Sequence, residues 1–141
     1  GAKGVRVDRV RADHMGMLAT TINALALQDA FIASGIDAKV MTAVQMEAFA
    51  DPYVPAKAIA AMEEGKIVIF GCGLGAPFFS TDTAAVLRAA EIRSDAVLLA
   101  KNIDGIYTAD PRVDATARRY PDVTYKEVLE KELERALQWT L

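Results

Sequence analysis

The 141-residue sequence holds a single cysteine and a single histidine. One thiol cannot close an internal disulfide, and one thiol with one imidazole makes a poor set of soft metal ligands. Cys72 therefore speaks for a reducing, cytoplasmic setting rather than a disulfide scaffold. A large excess of charge is missing too. The formal net charge is −3, so no broad positive field exists to gather nucleic-acid polymers or anionic lipid. Uninterrupted apolar runs are short: residues 67–70 and 96–100 are strand-sized, against the roughly 20 residues a membrane span needs. No segment is expected to cross a bilayer. What remains is 52% apolar and 25% charged, the balance of a globular domain that folds around one core.

Punctuation along the chain divides it into alternating elements. The opening residues, Gly1-Ala2-Lys3-Gly4 and onward, read as mid-protein sequence, so the chain is expected to be a piece of something larger. From Asp13 to Ser34 apolar residues recur at Met15, Leu18, Ile22, Leu25, Ala26 and Phe31, a helical stripe with Asp13 as its cap and Gly35 as its stop. A strand is expected over 39–44. Pro55 and Gly65 then bracket a short Ala-rich helix, and 67–70 is a β-branched strand of the kind buried in a parallel sheet. The glycine-rich stretch 71–77 leads to a third helix starting at Ser80, Thr81 or Asp82 and ending near Ile92. A buried strand is expected over 96–100, turns at Asp104-Gly105 and Ala109-Asp110-Pro111, and a last helix behind a capping box of Thr124 and Glu127, with Glu127 and Lys131 as an i,i+4 pair. The alternation predicts an α/β fold with a mainly parallel sheet and right-handed crossovers.

Ligands of such sheets bind where the strands end, which makes the two loops after 67–70 and 96–100 the candidate sites. Three glycines in the first allow close approach of the backbone to a ligand, and Ser80-Thr81-Asp82 brings hydroxyls, N–H groups and a positive dipole end together. That composition fits a phosphate and fits equally a tight turn with an ordinary N-cap. A P-loop is excluded, because no Gly-x4-Gly-Lys-Ser/Thr occurs and Gly65-Lys66 is followed by Ile67. Gly71, Gly73 and Ala76 match a dinucleotide fingerprint in spacing, but Pro77 and the cap near Ser80 delay the helix that this motif needs at once, and Glu91 falls inside a helix. Asp82 suits either a cap or a carboxylate near Mg²⁺ and a transferring phosphoryl group. His14 beside Asp13 reads as a capping or partly buried histidine, since adjacent helical residues diverge. Tyr107 and Asp110 suit a base contact, although standing alone they read first as a core tyrosine and a turn aspartate.

Three long stretches decide between these readings. Asp13-His14-Met15-Gly16-Met17-Leu18-Ala19-Thr20, Gly75-Ala76-Pro77-Phe78-Phe79-Ser80-Thr81-Asp82 and Asp104-Gly105-Ile106-Tyr107-Thr108-Ala109-Asp110-Pro111 closely resemble, in order and spacing, the bacterial uridylate kinases of the amino acid kinase family. The tail from Tyr125 to Leu133 fits as well, so the resemblance covers essentially the whole chain.

The resemblance implies a three-layer α/β/α sandwich, here incomplete, and transfer of the γ-phosphoryl group of ATP to UMP with Mg²⁺, giving UDP and ADP for pyrimidine nucleotide biosynthesis. It implies one partial domain over 1–141, with a UMP-binding region over about 1–95 and the start of an ATP-binding region over about 96–141. Asp13 would hold the UMP ribose, and Leu74, Gly75, Ala76, Pro77, Phe78, Phe79, Ser80 and Thr81 would form the rest of the UMP site. Asp82 would be the catalytic carboxylate. Lys101, Asn102, Tyr107 and Asp110 would contact ATP, while the metal ligands stay unassigned. A hexamer regulated by GTP and UTP is part of the same implication. Leu74-Gly75-Ala76-Pro77 stands where many of these kinases have Thr-Gly-Asn-Pro, so backbone groups must replace two side chains. The segment 101–104 is one residue shorter than in some members. An N-terminal lysine-bearing strand and glycine loop of the family have no counterpart here, so the 141 residues alone are expected to have little kinase activity. Two other functions compete: a non-catalytic nucleotide-binding or assembly fragment, and another kinase of this fold acting on a carboxylate or carbamate.

Overall fold

The computed structural model describes residues 7–100, 105–124 and 126–127. The backbone divides into two compact units, Gly1–Val97 and Leu98–Leu141. The first contains α1 (Arg9–Ala33), β1 (Ala38–Thr42), β2 (Asp51–Pro52), α2 (Pro55–Glu63), β3 (Ile67–Gly71) and α3 (Thr81–Glu91). β1 is central in a sheet of order β2-β1-β3, and both pairings are parallel. All three strands therefore end at one edge, and the loop after β3 emerges there.

Local chemistry accounts for most boundaries. Pro55 opens α2, and Gly65 follows its end with φ +84°, a conformation that costs glycine least. Gly35 does the same for α1 at φ +77°. Ser80 caps α3, its Oγ accepting from the Thr83 N–H at 3.2 Å. The start of α1 differs from expectation. Asp8, not Asp13, is the cap, its carboxylate accepting from the Arg11 N–H at 3.2 Å. The helix thus begins earlier, and Asp13 lies in its second turn with its carboxylate released for another partner.

α1 runs antiparallel to the strands. Thr21 lies against Gly71 at the strand end, Ala24 packs with Val40, and Gln28 Nε2 donates to the Ala38 carbonyl at the strand start, 2.8 Å away. The N-terminal turns of α1 consequently reach the sheet edge where the glycine-rich loop emerges. The face applied to the sheet is Thr21, Ala24, Leu25 and Gln28, whereas Met15, Leu18 and Ile22 of the expected stripe are exposed. Close approach explains the difference, since a Cβ on Gly71 would sit 3.2 Å from Thr42 Cγ2 and 3.4 Å from Thr21 Oγ1. Small side chains fit that gap and larger ones do not. Among the described residues α1 is the one helix long and apolar enough, by length and composition, to cross a membrane, which the short apolar runs did not suggest. Its polar side chains, however, bond a strand and a loop.

Strand alternation turns Ile69 and Gly71 toward α1 and Phe70 to the opposite face. There Phe70 meets Tyr53 edge-on, with ring centroids 5.3 Å apart, an arrangement favoured by the aromatic quadrupole. α2 packs on β3 with Ala58 and Ala61 buried.

One further expectation fails. Residues 96–100 form no strand, and Leu98 is 92% exposed; no strand among the described residues pairs with them, and an apolar run cannot be a buried strand without a neighbour. The two-residue β2 carries no hydrophobic pattern and was not anticipated. In the second unit Tyr107 and Arg119 form an isolated antiparallel bridge. The turn at Asp110 is present, its carbonyl accepting from the N–H groups of Val113 and Asp114. The capping box is present too: the Thr124 N–H donates to Glu127 Oε2 at 2.9 Å, and the Glu127 N–H donates to Thr124 Oγ1 at 3.3 Å. Asp104 and Lys131 lie outside the described residues.

Candidate functional site

Between the end of β3 and the start of α3 the chain folds a tight loop at the carboxyl edge of the sheet. Cys72, Gly73 and Gly75 all have left-handed backbones, with φ of 65°, 54° and 76°, and the Gly75 N–H closes a turn on the Cys72 carbonyl at 2.8 Å. Gly75 also needs to be glycine for space: a Cβ there would come 3.2 Å from Ala43 Cβ and 3.3 Å from the Ala43 carbonyl oxygen. Phe78 is left-handed as well, at φ 71°, a strained state for an aromatic residue that persists only where the surroundings enforce it.

Asp13 provides that enforcement. Its Oδ2 accepts from the Phe78 N–H at 2.8 Å, and Arg9 Nε donates to Oδ1 at 2.9 Å and Oδ2 at 3.1 Å. Arg9 Cζ lies 5.9 Å from the Phe78 ring centroid, within cation–π range. The Phe78 N–H and then the Arg9 guanidinium hold the Asp13 carboxyl below its usual range, so it is a carboxylate at neutral pH.

Threonines 20 and 21 tie down the other end of the loop. Thr20 Oγ1 accepts from the Cys72 N–H at 2.9 Å while donating to the Met17 carbonyl at 2.7 Å. Thr21 Oγ1 lies 3.1 Å from the buried Cys72 Sγ. The loop is thus stitched to α1 at Cys72 and at Phe78. Neither threonine was singled out in the sequence. A pair of polar β-branched residues inside an Ala- and Leu-rich helix was the available signal.

Of the residues expected to hold UMP, the structure brings Asp13 and the stretch from Leu74 to Thr81 together at one edge. Leu74, Gly75, Ala76 and Pro77 are half-buried, while Phe78, Phe79, Ser80 and Thr81 are exposed. Asp82 is in the first turn of α3, where a carboxylate is favoured by the helix dipole. His14 is exposed and caps nothing, since Asp8 takes that role. Tyr107 and Asp110 belong to the second unit. Asp110 is engaged by Arg112, through Nη2 at 2.9 Å, Nε at 3.0 Å and the backbone N–H at 2.9 Å, and those bonds hold its carboxyl below the usual range. Lys101 and Asn102 lie outside the described residues. Among the described residues no three His, Cys, Asp or Glu side chains gather into a metal cage.

The sequence pattern of the amino acid kinase family matches residues 2–138. This chain belongs to the amino acid kinase family. Within that family it is 55% identical to a uridylate kinase of Nocardioides sp. over 128 residues, 90% of this chain and 54% of the relative. It is 51% identical to a uridylate kinase of Rhodococcus jostii over 130 residues, 92% of this chain and again 54% of the relative. The chain therefore spans about half the length of these curated relatives. Solved structures agree. The UMP kinase of Ureaplasma parvum superposes with a TM-score of 0.83 at 31% identity, covering 99% of this chain and 63% of that one. The UMP kinase of Bacillus anthracis gives 0.82 at 38% identity, covering 89% and 52%. The parallel sheet with its helices is thus a partial amino acid kinase fold.

Proposed function

We propose that this chain is the acceptor-binding part of a UMP kinase, which moves the γ-phosphoryl group of ATP onto UMP. The observation that carries the reading is the Phe78 N–H bond to Asp13, which joins an ionised carboxylate to a glycine-rich loop at the ligand-binding edge of a parallel sheet. The likeness to named uridylate kinases on both sides of that bond supports it.

In this reading a carboxylate offers about four lone-pair positions, so Asp13 can accept from ribose hydroxyls beyond its bonds to Phe78 and Arg9. The stretch Leu74, Gly75, Ala76, Pro77, Phe78, Phe79, Ser80 and Thr81 surrounds the monophosphate and the base, with backbone groups reading uracil. Cytosine presents a donor where uracil presents an acceptor, and each unpaired buried group costs about 1–3 kcal/mol. An oxygen of the UMP phosphate attacks the γ-phosphorus, the bond to the bridging oxygen breaks, and ADP leaves. Asp82, at the helix start, stands by the reacting phosphates as the catalytic carboxylate. Mg²⁺ is commonly held by one or two carboxylates, water and substrate phosphates rather than by a cage; a single carboxylate such as Asp82 fits that mode, and the ion supplies neutralisation of phosphate charge. Lys101, Asn102, Tyr107 and Asp110 serve ATP. Action in pyrimidine nucleotide biosynthesis in the cytoplasm, assembly into a hexamer and response to GTP and UTP complete the reading.

Calorimetric titration tests it. UMP is expected to bind this chain and CMP to bind at least about tenfold more weakly, the equivalent of one mismatched polar group. Equal affinity for the two, or binding of neither, contradicts the proposal.

A further inference from the structure

Arg88 stands in the third turn of α3 with only 9% of its surface exposed. A buried guanidinium is costly unless its donors are satisfied, and here three groups satisfy it. Nη1 donates to Glu91 Oε2 at 2.7 Å, Nη2 donates to the Gly73 carbonyl at 3.2 Å, and Cζ lies 3.9 Å from the Tyr53 ring centroid. The Tyr53 hydroxyl donates to the same Glu91 Oε2 at 2.7 Å. Tyr53 directly follows β2 and is held against Phe70 of β3. The sheet edge, α3 and the glycine-rich loop are therefore locked through a single side chain.

The consequence lies in the peptide plane. In a trans peptide the carbonyl of Gly73 and the N–H of Leu74 point in opposite directions, so fixing the carbonyl on Arg88 fixes the direction of the N–H. Gly73, left-handed at φ 54°, has no Cβ to restrict its backbone, so that plane is free to flip in the turn unless something holds it. We infer that Arg88, buttressed by Glu91 and Tyr53, is a positioning residue that orients the Gly73–Leu74 peptide, so that the loop presents a preset backbone donor to the acceptor nucleotide. The inference rests on the proposed monophosphate site for the identity of the ligand, and on geometry alone for the clamp. Arginine is needed because its planar fork reaches Glu91 and Gly73 together while stacking on Tyr53; lysine has one ammonium and no plane.

Amide hydrogen exchange and UMP titration of the 141-residue chain test both halves. Arg88→Met is expected to speed exchange across 72–79 about tenfold while leaving β1 and β3 unchanged, and to weaken UMP about tenfold. Arg88→Lys is expected to restore neither, whereas a role limited to burying charge would be rescued by lysine. Wild-type exchange in the loop of Arg88→Met, or full rescue by Arg88→Lys, overturns the inference. Glu91→Gln keeps the shape and weakens the brace, and it serves if Arg88→Met does not fold. Exchange about threefold faster in its loop supports the clamp, and wild-type exchange overturns it. Loop exchange that responds while even the unsubstituted chain fails to bind UMP supports the clamp and refutes the monophosphate reading.

Discussion

Asp13 and Gly75 show how single positions set the site. Gly75 combines φ +76° with a Cβ position 3.2 Å from Ala43, so Gly75→Ala is expected to cost about 1–3 kcal/mol, read from urea unfolding. At Asp13 the effect is electrostatic. Its folded carboxyl is held below 3.8 by the Phe78 N–H and then by Arg9. A depressed acid contributes stability above its unfolded value and loses it as pH falls through the folded value. Unfolding midpoints of the wild type should thus fall more steeply below about pH 4 than those of Asp13→Asn. An equal pH dependence of the two would deny the bond to Phe78. The sequence marked Asp13 as important through its resemblance but gave it the wrong local job. Asp8 and Asp13 are equally good caps by residue type, and only the tertiary partner at Phe78 separates them.

Among the elements, those with strong local signals were legible and those that depend on distant partners were not. Pro55 and Gly65 set the ends of α2 through their backbone preferences, while Ser80 and the Thr124 and Glu127 pair act through bonds three residues apart. The run 96–100 has the composition of a strand and no neighbour among the described residues. Arg88 draws no attention in the sequence, where the one signal is its i,i+4 spacing from Ala84, with which it is buried; its partners Tyr53 and Gly73 are distant in sequence and become visible only once the sheet is assembled. The loop tether gives a prediction at this scale. Thr20→Val removes the acceptor of the Cys72 N–H with little change in volume, and it is expected to cost about 1–3 kcal/mol, measured by chemical unfolding. Ser80→Ala should cost about 1 kcal/mol through loss of the α3 cap.

At the scale of the molecule, three parallel strands bring the loop after β3 and the N-terminal turns of α1 to one edge, and that convergence is what the proposed function requires. A helix antiparallel to the strands necessarily returns its start to their ends, so a residue near the start of α1 can meet one that follows β3 by several positions. Phosphoryl transfer demands this kind of placement more than it demands covalent chemistry from the protein. In the proposed site, backbone contacts at Leu74 and Ala76 suffice only if the loop is held rigid, and Asp13, Thr20 and Arg88 hold it at three separate points. The most direct test of the account is amide chemical-shift mapping of this chain with UMP. The predicted perturbations centre on 74–82 and on the second turn of α1 around Asp13, and they disappear in Asp13→Ala. Shifts confined to the opposite edge of the sheet, or none at saturating UMP, would contradict it.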